Sequence, residues 1–113
     1  MFQASFLYRP GTLDSEFHRV SGAVADEAAQ MEGFLGEESW TCRDTGLCNA
    51  VYYWRDRPSL DAFVRAAAHR AAKRQQARWY DGYHVIISEI VATYGDGRLA
   101  HVTGDSRRKR PAP

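Results

Sequence analysis

Lysine is almost missing from this chain of 113 residues: Lys73 and Lys109 are the only two. Arginine fills the rest of the 15 basic positions, a bias that reads as GC-rich coding rather than chemistry. Against 14 acidic residues the net charge is only +1, so no whole-chain field exists to draw in nucleic acid or a membrane surface. No apolar run approaches the roughly 18 residues of a membrane span. The opening "MFQASFLYRP" lacks a basic start, an apolar stretch of signal-peptide length and a small-residue cleavage site, so a cytoplasmic protein is expected. Cysteine is scarce too. Cys42 and Cys48 flank "CRDTGLC", where a disulfide, a redox pair or half a metal site competes with two reduced thiols; a cytosolic setting favours the thiols. The four histidines and two cysteines form no zinc-spaced cluster. "GDG" follows a strand but opens no helix, which excludes a phosphate cradle.

What the chain does have is aromatic and periodic. Residues 2–9, "FQASFLYR", place Phe2, Ala4, Phe6 and Tyr8 on one side and Gln3, Ser5, Leu7 and Arg9 on the other, the alternation of a strand. Thr12 or Asp14 can cap a helix running to about Met31, with Phe17, Val20 and Val24 on its apolar stripe and Gly33 at its C-terminal end. Strands at 34–42 and 48–55 form a hairpin around "DTG". With Cys42 opposite Cys48, Trp40 faces Ala50 and Glu38 faces Tyr52. Ala50, Tyr52 and Trp54 then share one face, and Asn49, Val51 and Tyr53 the other. Ser59 can cap a second helical region from Leu60, with Phe63, Val64, Ala67 and Ala71 on its apolar stripe. On one unbroken ideal helix His69 lies about 180° from Leu60, at 100° per residue; a kink near "RAAAHR" turns it inward. Residues 83–94 read as a strand apolar on both faces, to be buried on both sides.

The order β-α-β-β-α-β specifies an α+β, ferredoxin-like fold of four antiparallel strands with helices on one face. A chain this short leaves the other face open, and two such faces packed together make a homodimeric α/β barrel. The domain is expected over residues 1–97, with 98–113 a polar, basic, flexible tail in which His101 receives no role.

Taken together, "RPG…EF" opening the first helix, "EGFLG…W" leading into the second strand, "YYWRDRPSLDAF" across the third strand and "H…A…W…Y" before the last resemble the antibiotic biosynthesis monooxygenase family of dimeric α/β barrels. The resemblance covers residues 2–94. It implies a small pocket in each subunit between the sheet and its own helices, holding an aromatic or polycyclic substrate that is oxidised by O2 without a cofactor. A related branch degrades or binds haem, and other members have no demonstrated activity. Trp54 matches a pocket-lining Trp at the end of the third strand. His69 matches a haem-ligating His on the second helical region. Two departures accompany these matches. The oxygenase and haem branches use an Asn on the first strand, where residues 2–9 offer only Gln3 and Ser5, and the interval from Trp54 to His69 is longer than in the haem degraders.

Cofactor-free oxygenation needs a dry aromatic cavity, a base to form the carbanion and donors to hold the oxyanion. His69 is the expected base, its unperturbed pKa being about 6.5. Trp54 joins it as the second candidate catalytic residue, with Trp79, Tyr52, Tyr83, His84 and Phe6 as substrate-binding walls and donors. Arg74 and Arg78 can pair with a carboxylate but more simply form a charged helix face. The alternatives are a haem protein with His69 on the iron, and a non-catalytic ligand-binding or accessory protein of a biosynthetic cluster.

Overall fold

The computed structural model describes residues 1–72 and 79–108, the side chains of 68–72 and of 108 excepted. Its elements are β1 (Phe2–Pro10), α1 (Ser15–Gln30), β2 (Phe34–Thr41), β3 (Cys48–Trp54), α2 (Arg57–Ala72), β4 (Tyr80–Glu89) and a short 3-10 turn at Ser106–Arg108. The four strands form one antiparallel sheet in the order β2-β3-β1-β4, the ferredoxin-like arrangement that the element order specifies.

Local chemistry fixes the helix starts. The Asp14 carboxylate accepts the Phe17 backbone N–H at 2.9 Å and caps α1. Helix α2 begins earlier than the Ser59 cap suggests: Asp56 accepts the Ser59 N–H at 2.9 Å, and Pro58 falls in the first turn, where a missing N–H breaks no helical bond. The Ser59 hydroxyl, then this backbone N–H and Arg55, hold the Asp56 carboxyl down at about 2. The glycine after α1 is required rather than convenient. Gly33 sits at φ 83°, and a Cβ there would lie 2.2 Å from the Ser59 hydroxyl.

Between the helices and the sheet, Ala4, Ala28, Trp54, Leu60 and Phe63 form one buried cluster, and Phe17, Val20 and Trp79 a second. The register corrects the hairpin by one residue. Thr41, not Cys42, lies opposite Cys48; Trp40 opposes Asn49, Glu38 opposes Val51, and Glu37 opposes Tyr52. The cause is a tighter turn, closed by Cys42 on Leu47 instead of Cys48. Cys42 N–H donates to the Leu47 carbonyl and Gly46 N–H to the Cys42 carbonyl, with Gly46 at φ 75°. A one-residue slip sends Cys42 and Cys48 to opposite faces, and both are free thiols.

Strand β4 is shorter than the expected 83–94: it ends at Glu89, and within the single chain it is exposed along most of its length, with Val85 and Ile86 each nearly half exposed. It is an edge strand, with only β1 beside it.

The segment after β4 crosses back over the face of the sheet opposite the helices. Val102 packs on Gly36, and the His101 ring stands edge-on to Tyr53 at 5.1 Å. Glu38 Oε1 accepts from Tyr53 Oη at 2.6 Å and from His101 Nε2 at 2.7 Å. Thr103 N–H donates to His101 Nδ1, so the neutral ring carries its proton on Nε2. The Tyr53 hydroxyl and then His101 hold Glu38 below the usual carboxylate range. A folded-state value so depressed contributes stability above the ordinary carboxylate pKa, and that stability is lost as pH falls through the depressed value. We expect Glu38→Gln to speed proteolysis of residues 95–108 about two- to fivefold at neutral pH, the scale of one surface ion pair. Acidification should reproduce this in the wild type, and equal digestion rates at both pH values would show that Glu38 holds nothing.

Candidate active site

On the helix-facing side, cross-strand pairing lays the residues out in rows. One row is Glu37, Tyr52, Ala4 and Ile87; the next is Ser39, Ala50, Phe6 and Val85; the third is Thr41, Cys48, Tyr8 and Tyr83. The middle row is small at its β2–β3 end, where Ser39 and Ala50 leave the sheet low between taller neighbours.

Aromatic groups rise on both sides of this dip. Trp54 is fully buried, 5.0 Å from Phe63 and 5.3 Å from Phe34, and Tyr52 lies 4.8 Å from Phe63. Phe6 gathers Tyr8, Tyr80 and Tyr83 at 5.2–5.5 Å between centroids. The polar ends of these rings matter as much as their faces. Burial, then the charge and hydrogen bond of the Cys48 thiol, push the Tyr8 phenol up to about 12. Burial, then the Glu37 carboxylate, push Tyr52 up further. Burial alone raises Tyr80. All three therefore remain neutral O–H groups across the physiological range; Tyr80 raises Tyr8, and both raise Tyr52, so their oxygens share one region.

Trp54 presents a different signal. Its indole N–H is buried without a hydrogen-bond partner among the described residues. A buried orphan donor costs about 1–3 kcal/mol, and a ligand that completes it is one way to offset that cost.

The sequence-expected site residues separate into three groups. Trp54, Tyr52, Phe6 and Tyr83 meet on the helix-facing side, although Tyr83 is two-thirds exposed at the edge strand. Trp79 is buried behind Phe17 and gives its N–H to Asp14 at 3.1 Å, so it supports the site from the core instead of presenting a donor to a ligand. His84 is corrected outright. It pairs with Leu7 on the opposite face of the sheet, because neighbours along a strand point opposite ways and Tyr83 takes the helix side. His69 lies on α2, but its side chain falls outside the described residues, as do Arg74 and Arg78. Glu37, Tyr8 and Tyr80 are the members that sequence reasoning missed. Tyr8 was legible from β1 alternation, whereas Glu37 was hidden by the hairpin register. Among the described residues no group of His, Cys, Asp and Glu is arranged to hold a metal ion.

An aromatic-lined space between a four-stranded ferredoxin-like sheet and its own two helices defines a class, the small α+β proteins of the antibiotic biosynthesis monooxygenase type. The family model for monooxygenases of the af470-like type matches residues 11–89, and the chain belongs to that family. Solved structures agree in fold. SnoaB, a cofactor-independent oxygenase from Streptomyces nogalater, superposes with a TM-score of 0.65 at 16% identity, over 81% of this chain and 94% of that one. A Deinococcus radiodurans protein classed with the antibiotic biosynthesis monooxygenases gives 0.67 at 9% identity, over 84% and 97%. Rv0793 from Mycobacterium tuberculosis gives 0.67 at 12%, over 83% and 98%. A search of the curated proteins finds no match. No helix among the described residues is long and apolar enough to cross a membrane.

Proposed function

We infer that this chain is a homodimeric, cofactor-independent oxygenase of secondary metabolism acting on a planar aromatic or polycyclic substrate. The observation that carries this reading is the fully buried Trp54, whose N–H has no partner among the described residues, set among edge-on and tilted rings on the helix-facing side of the sheet. The rings supply a low-dielectric wall for a flat π-system, and the indole N–H is a ready donor to an oxygen that gains charge. The reaction balances as a ring CH2 plus O2 giving a ring C=O plus water. A base first removes a proton, the resulting carbanion passes an electron to O2, and carbon and oxygen recombine to a peroxide that expels water. His69 is the base that the family resemblance suggests. The homodimer is supported by Ile86, which stands nearly half exposed on the open face at the β4 edge of the sheet.

Dithranol, a dihydroxyanthrone, tests this with protein purified in the presence of haem and then treated with chelator. The expected result is a preparation without a Soret band that accelerates air oxidation of dithranol at least hundredfold over buffer, with Ile86→Asp eluting as a monomer. A Soret band lost in His69→Ala would put a haem protein in its place. A protein that binds dithranol without oxidising it would leave only an accessory role.

A further inference from the structure

We propose that the cross-strand pair Glu37–Tyr52 is the proton acceptor for a hydroxyl of the substrate, which is a planar phenol or enol seated over the dip at Ser39 and Ala50. This rests on the oxygenase reading and supplies it with a proton route that needs no histidine.

The geometry comes from the hairpin register. Glu37 and Tyr52 lie directly opposite one another in β2 and β3, so their side chains leave the same face of the sheet about 5 Å apart at Cβ. The Tyr52 ring is fixed by Phe63 at 4.8 Å and Phe34 at 6.5 Å, which leaves its hydroxyl as the free end. One pair further along β3 comes Ala50, opposite Ser39 on one side and Phe6 on the other. A flat ring system laid on Phe6 and Ala50 is therefore bounded by the Tyr52 hydroxyl at one end and by Tyr8 with Cys48 at the other. Burial and then the adjacent carboxylate keep the Tyr52 phenol protonated, and the hairpin register sets that phenol beside Glu37. With its proton turned toward that carboxylate, its oxygen acts as an acceptor toward the ligand, and an acceptor there selects an O–H over a carbonyl. When the substrate hydroxyl gives its proton to Tyr52 Oη, the tyrosine passes its own proton to the Glu37 carboxylate. The sum is substrate O–H plus carboxylate giving substrate oxyanion plus carboxylic acid, with Tyr52 unchanged. The oxyanion is the electron-rich form that reduces O2. Tyr52 touches the substrate, and Glu37 acts through it.

The test uses two probes and two conservative variants, Glu37→Gln and Tyr52→Phe. The first probe is 1,8-dihydroxyanthraquinone compared with its dimethyl ether, followed by quenching of tryptophan fluorescence. The wild type should prefer the free hydroxyl form tenfold or more, and both variants should lose that preference. The second probe is dithranol turnover across pH. Both variants should lose at least a hundredfold in kcat at neutral pH, more than the roughly tenfold rise in KM that the lost hydroxyl preference brings. The deficit should shrink as pH rises far enough to ionise dithranol in solution, a profile that a merely structural defect would not give. Turnover retained in both variants overturns the pair while the oxygenase reading stands. Hydroxyl preference lost in both variants, without turnover in any form, keeps the pair as a recognition device and removes the oxygenase. A wild type that binds neither quinone overturns both.

Discussion

Replacing Trp54 by Ala is expected to remove on the order of 3–5 kcal/mol of stability, the range for truncating a large buried aromatic. Trp54 is fully buried, and Phe34 and Phe63 pack on its ring. Against a total of about 5–15 kcal/mol for a small domain, such a loss confounds every activity measurement made on that variant. Urea denaturation checks the magnitude. Trp54→Phe is the informative companion. It keeps one ring in the core and removes the orphan N–H, whose burial costs about 1–3 kcal/mol. The cavity left by the smaller ring costs a similar amount, so the two changes offset each other and stability should move by less than about 1.5 kcal/mol. Ligand affinity should not be spared in the same way. If the indole N–H is completed by an oxygen of the ligand, Trp54→Phe weakens binding of a planar quinone about tenfold, the equivalent of 1.4 kcal/mol. A variant that folds well and binds as tightly as the wild type would show that the N–H is a packing residue's by-product and not a donor to the ligand.

The contrast between Trp54 and Glu37 shows what sequence could and could not supply. Alternation along β1 and the stripe on α1 name the buried faces directly, since one side of each element meets the core and the other does not. Trp54 follows from that, together with its place at the end of β3. Register does not follow, because it is set by how the turn closes. The closure of Cys42 on Leu47 and the irregularity between Phe34 and Gly36 decide it, and neither is visible in hydrophobic pattern. One residue of slip exchanges Glu38 for Glu37 opposite Tyr52. It thereby assigns one carboxylate to the site and the other to the segment that crosses the open face. Strand β4 makes a different point. Apolar residues on both faces say what could be covered, and within one chain an edge strand has only one neighbour to cover it.

Asp14 ties the helix layer to the strand that closes the site, so Asp14→Ala should cost more than an ordinary cap. The same carboxylate oxygen accepts the Phe17 N–H at 2.9 Å and the Trp79 indole N–H at 3.1 Å. Loss of the cap costs about 1 kcal/mol, and loss of the hydrogen bond to the indole N–H adds about 0.5–1.5, so the sum is about 1.5–2.5 kcal/mol. Asp14→Asn keeps an oxygen for both donors and loses only the charge at the helix N-terminus, at a cost of about 0.3–1 kcal/mol. A double-mutant cycle with Trp79→Phe isolates the shared part, because removing the indole N–H first should make Asp14→Ala cheaper by about 1 kcal/mol or more. Additive losses would show that the 3.1 Å contact carries no energy of its own. The consequence reaches the site through sequence adjacency. The Trp79 carbonyl accepts the Gly11 N–H at 2.7 Å, and the next residue, Tyr80, meets Phe6 and Tyr8 edge-on. A loosened Trp79 therefore releases the far wall of the dip over Ala50. Asp14→Ala should weaken planar quinones at temperatures where the chain is still folded, although Asp14 itself caps a helix on the far side of Trp79.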